Sequence, residues 1–107
     1  MRRVWAVFLM VLGIAGSASA QDSAVGAKVF AEQKCSLCHS VAGKGNAKGA
    51  LDDVGSKPAA DIRAWIEDAN AMTAKTAATR KPAMKQYTLP KSDVDALVAY
   101  LVTLKKK

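Results

Sequence analysis

The chain has 107 residues, 16 of them Lys or Arg against 9 Asp or Glu, for a net charge of +7. That length allows one small domain and excludes a multidomain enzyme. A chain this short buries a poor fraction of its surface, so a staple or a bound group is expected to complete its core.

Arg2 and Arg3 precede an apolar run at residues 4–14, and Ala18-Ser19-Ala20 follows. The run is shorter than the roughly 20 residues that cross a bilayer as a helix. Charge, short apolar core and small-residue cut site together predict a secretory leader over residues 1–20, removed to leave a domain of residues 21–107 with no transmembrane anchor. Arg2 and Arg3 go with the leader and no acidic residue does, so the net charge falls to +5. A basic protein of this size suits nucleic acid, but export argues against that class. The lysines then read as a surface for an acidic partner or as solvated charge.

A first helix is expected over residues 23–34, capped by Ser23, with Val25, Val29 and Phe30 on one face. Gly26 is a cost inside it and marks a close helix crossing. Residues 43–55 carry four glycines and read as loop, with Leu51 and Val54 as apolar points. Pro58 suits the first turn of a second helix, in which Ile62, Trp65, Ile66 and Ala69 fall on one stripe. Residues 71–80 are ambiguous between weak helix and loop. Residues 81–90, bounded by Pro82 and Pro90, read as extended. Ser92 with Asp95 resembles a capping box opening the last helix. Its buried stripe is Val94, Leu97, Val98, Leu101 and Leu104, and Lys105 to Lys107 suit its negative end. No strand pattern of useful length is visible, so the fold class is all-α.

Cys35-Ser36-Leu37-Cys38-His39 is the one strong motif. C-x-x-C-H is the attachment sequence of c-type haem. Two thiols on one helical turn reach the two vinyl groups of a porphyrin edge and form thioethers, and the next residue brings an imidazole beneath the ring. A zinc site needs four ligands, and His39 is the single histidine. A redox dithiol belongs after a strand in a βαβ unit, which this sequence lacks. A plain disulfide leaves the adjacent histidine unexplained. Beyond the leader two methionines remain. Met72 follows the second helix and packs as core. Met84 sits in the proline-preceded loop, which can present it to the haem face opposite His39, with the thioether favouring ferrous iron.

The whole mature chain resembles a class I mono-haem cytochrome c of the small bacterial kind. The residues that carry the resemblance are Cys35, Cys38 and His39, Gly26 and Phe30, Leu51 and Gly55, Trp65, Pro82 and Met84, and Leu97, Tyr100 and Leu101. It implies three to four helices wrapped round one covalently bound haem c, with N- and C-terminal helices crossing near Gly26, Phe30, Leu97 and Tyr100. In the family a tryptophan at the place of Trp65 often lies by a haem propionate; ordinary core packing is the other reading. The family's proline after the haem-binding histidine, whose carbonyl orients the imidazole, is absent. Here the stretch is Gly49-Ala50-Leu51, and the Ala50 carbonyl is the expected substitute.

The expected function is a periplasmic electron carrier cycling Fe(II) and Fe(III), monomeric and not an enzyme. Lys34, Lys44, Lys48, Lys57, Lys81 and Lys85 are candidates to steer redox protein partners to the haem edge. A dedicated haem subunit of a periplasmic oxidoreductase is the alternative. A gas sensor or haem enzyme would need an open sixth site and a polar distal donor, and no second histidine exists to supply one.

Overall fold

The computed structural model describes residues 17–106, with side chains from Asp22 onward. Most of the expected leader, residues 1–16, and Lys107 lie outside the described residues. Helix α1 spans Ser17–Glu32 and runs through the expected cut after Ala20. It starts upstream of the expected residue 23, so Ser23 lies inside the helix and does not cap it. The alanine-rich sequence explains the extension, since alanine costs a helix least. Lys34 ends the segment in the left-handed region, φ 56°, and reverses the chain into a 3-10 turn, Cys35–Leu37.

A small antiparallel hairpin follows, β1 (Ser40–Val41) with β2 (Lys44–Gly45), in the register Ser40 to Gly45 and Val41 to Lys44. Ala42 and Gly43 between them both have positive φ, as a two-residue hairpin turn requires. The expected glycine-rich loop also contains two 3-10 turns, Ala47–Gly49 and Val54–Ser56. Helix α2 spans Ala59–Glu67, with Pro58 at its cap position and not in its first turn. Ile62 and Ile66 are buried on it, and Trp65 is half-buried. Asp68 breaks the helix at φ −147°, and its side chain caps the short helix α3, Ala69–Lys75, by accepting from the Ala71 N–H. The ambiguous segment is therefore helix only to Lys75.

Helix α4 spans Lys91–Leu101, one residue ahead of the expected cap at Ser92. Pro90 takes the cap position without a side-chain hydrogen bond. Asp95 makes no capping box. Its carboxylate pairs with Arg63 of α2 and with Lys91. Leu104, Lys105 and Lys106 lie past the helix end, and the Leu104 carbonyl accepts from the Gly55 N–H instead.

Helices α1 and α4 form the most extensive contact between elements. Gly26 permits it: a Cβ there would meet the Ala96 carbonyl oxygen and the Tyr100 Cβ. One turn on, Phe30 meets Tyr100 edge to face, ring centroids 5.7 Å apart, a favoured aromatic geometry. The core is Val29, Phe30, Ile62, Ile66, Val94, Leu97, Val98 and Leu101, with Leu51 and Val54 packed against it. The fold is thus mostly helical, with its terminal helices crossing as expected. Among the described residues no helix is long and apolar enough to cross a membrane.

Candidate functional site

The 3-10 turn places the motif. The Cys38 and His39 N–H groups both donate to the Cys35 carbonyl, at 3.1 and 2.9 Å. The two thiols and the imidazole are thereby held on one tight turn, and both cysteines are free. Asn46 fixes this turn from the hairpin. Its N–H meets the Ser36 and His39 carbonyls and its side-chain amide donates to the Leu37 carbonyl at 3.3 Å. Nothing in the sequence marks Asn46 for that role, because the contact depends on the hairpin folding back.

His39 Nδ1 donates to the Gly49 carbonyl oxygen at 2.9 Å. The acceptor is Gly49 and not the expected Ala50, so the orienting carbonyl lies one residue earlier. Among the described residues this leaves Nε2 as the ring nitrogen with no protein partner. The approach is close: a Cβ on Gly49 would meet the Cys38 carbonyl, the Arg80 guanidinium and His39 Nδ1. Burial pushes the His39 imidazole below its usual range, opposed by the Gly49 bond and helped by the Arg80 charge. Its resting form is therefore the neutral ring, the form that binds metal. Burial likewise pushes the Cys35 thiol upward.

A cavity of about 430 Å³ opens on this turn. Cys35, Cys38, His39, Trp65 and Met84 all line it. The rest of its wall is mainly apolar and includes Phe30, Leu51, Ile62, Ile66, Leu97 and Leu101. Met72, by contrast, is buried in the protein and is not part of the cavity wall. The motif residues Cys35, Cys38 and His39 are thus brought together with Trp65 and Met84, which are distant from them along the chain. Arg80 also lines the cavity, and its Nη2 donates to the Cys38 carbonyl. Sequence reading did not single out Arg80, since one arginine in a polar loop carries no signal of a contact 42 residues away.

The donor set fits haem c. Two free thiols and a neutral imidazole with one unpartnered nitrogen share a wall with a thioether, and apolar side chains surround them. Among the described residues no three His, Cys, Asp or Glu side chains come together as a metal cluster, so a zinc site of those donors has no geometry here.

Comparison with curated proteins and with solved structures gives no significant match. The family model for cytochrome c matches residues 23–105. That span takes in α1 from Ser23 onward, helices α2 to α4 and the whole wall of the cavity, and on it the chain belongs to the cytochrome c family.

Proposed function

We propose that this protein is an exported electron carrier holding one haem c, with His39 and Met84 as the axial ligands. Haem-based electron transfer is the chemistry of its family, and the finer reading rests on the site. One observation carries it: Cys35, Cys38, His39 and Met84 line the same apolar cavity.

Bound haem c supplies one-electron Fe(II)/Fe(III) chemistry. The Cys35 and Cys38 thiols would hold the group as two thioethers, each adding across one vinyl group with sulfur going to one carbon and its proton to the other. The Gly49 carbonyl keeps the proton on His39 Nδ1, so Nε2 offers its lone pair. Met84 supplies a soft sulfur that favours the reduced state. Phe30, Ile62, Ile66, Leu97 and Leu101 keep water from the cavity. No side chain acts as acid, base or nucleophile in turnover.

Trp65, in the cavity wall, is a candidate neighbour of a propionate. The exposed Lys34, Lys44, Lys48, Lys81 and Lys85, with Lys57 on the cavity rim, are assigned to docking redox proteins. Export places the mature chain, from Gln21 onward, in the periplasm.

The test uses protein released from the periplasm. Its intact mass should equal residues 21–107 plus one haem. Its oxidised spectrum should show the weak far-red band of methionine–Fe(III) ligation, lost in Met84→Ala and kept in Met72→Ala. An oxidised wild type without that band, whose reduced form binds carbon monoxide readily, would end the carrier reading in favour of an open-site sensor or enzyme.

A further inference from the structure

Residues 79–89 belong to no helix or strand. Among the described residues, no backbone–backbone hydrogen bond starts or ends on them. Three hydrogen bonds from two side chains fasten this stretch. Arg80 Nη2 donates to the Cys38 carbonyl at 2.5 Å. Gln86 Nε2 donates to the Glu67 carbonyl at 2.7 Å. Gln86 Oε1 accepts from the Asn70 N–H at 3.0 Å. Met84 lies between these two side chains.

Each attachment has a physical reason. Glu67 is the last residue of α2 and Asn70 the second of α3. A helix end leaves carbonyls unpaired and a helix start leaves N–H groups unpaired. Gln86 meets one of each, with the donor and the acceptor of its one side-chain amide. Gln86 stands two positions after Met84, with Lys85 between them, about 7 Å of extended chain. Arg80 fastens the other flank to the turn that carries His39. The sulfur of Met84 and the imidazole of His39 are thus registered to one another through Arg80 and Cys38.

We infer that Arg80 and Gln86 are positioning residues that hold the Met84 segment against the cavity and so set how readily Met84 leaves the iron. The inference rests on the His39/Met84 ligation proposed above. Among the described residues this unpaired stretch has no other hydrogen bond to the rest of the protein, so losing either fastening lets the segment swing outward. Net hydrogen bonds are modest, so the expected result is a more populated open form and not a failure to fold.

Ferric holoprotein is titrated with imidazole, which competes with Met84, while the far-red band is followed on heating. Gln86→Ala and Arg80→Ala should each bind imidazole about tenfold more tightly than wild type, equivalent to about 1.4 kcal/mol. They should lose the band at a lower temperature, with global unfolding by circular dichroism nearly unchanged. Gln86→Glu keeps the acceptor for Asn70 but loses the donor to Glu67, and Arg80→Lys keeps a charge without the fork. Both should fall between wild type and the alanine variants, and they serve if the alanine variants do not accumulate. Arg63→Ala breaks an exposed ion pair away from the cavity and should leave imidazole affinity unchanged.

Imidazole affinities and band temperatures equal to wild type across the Arg80 and Gln86 variants would overturn the inference and leave Met84 ligation standing. A wild type that lacks the band and binds imidazole as tightly as Met84→Ala would remove the ligation reading, and the inference with it.

Discussion

Gly49 shows how much a single residue settles at the site. Its carbonyl holds His39 Nδ1, and the space where its Cβ would stand is taken by the Cys38 carbonyl and the His39 ring. Gly49→Ala forces the loop away and weakens that bond. An imidazole whose distal N–H has lost its acceptor is a poorer donor to iron, which disfavours the ferric state. The reduction potential should therefore rise in Gly49→Ala, and overpacking should cost about 1–3 kcal/mol of stability. A redox titration beside thermal unfolding checks both; a potential equal to wild type would show that Nδ1 finds another acceptor. The residues of the motif were legible because covalent chemistry dictates their spacing. Arg80, Asn46 and Gln86 were not legible: each acts by a side-chain bond to backbone that folding brings near. The Gly49 carbonyl was misassigned by one residue because composition does not fix the register of a loop.

At the scale of elements, apolar periodicity located α2 and α4, and Gly26 announced the crossing of α1 with α4. The capping box at Ser92 and Asp95 was misleading for a physical reason. Pro90 opens α4 by its fixed φ, and Asp95 is drawn across to Arg63 on α2. The start of α1 was placed late because Ser23 is a good cap in isolation, while the alanines before it already favour helix. Gly26→Val should show what the crossing is worth. Its added carbons collide with the Ala96 carbonyl and Tyr100, costing about 2 kcal/mol, or roughly 10 °C in the melting midpoint of a domain this size. A midpoint within a degree or two of wild type would mean that α1 slides past α4 without loss.

Across the whole molecule, the link from α2 to α4 is pH-dependent. Hydrogen bonding from the Arg63 guanidinium holds the Asp95 carboxyl below its usual range. The folded value is depressed relative to the unfolded chain, so the contribution is complete above the ordinary aspartate range, near 3.9. It is lost as the pH falls through the folded value. Both groups are exposed, so the effect is small and salt-sensitive. Melting curves of wild type and Asp95→Asn should differ most near neutral pH in low salt and converge in acid, once the pH has fallen through the depressed folded value. A gap that persists in acid would assign it to packing and not to charge.

Phe30, Ile62, Ile66, Leu97 and Leu101 serve twice, as core and as cavity wall. Trimming any of them changes helix packing and the polarity beside the iron together, so the two properties are not free to drift apart there. Residues 79–86 contribute nothing to the buried core yet carry Met84. Under the Met84 ligation proposed above, substitutions in this segment would retune the potential without eroding the fold.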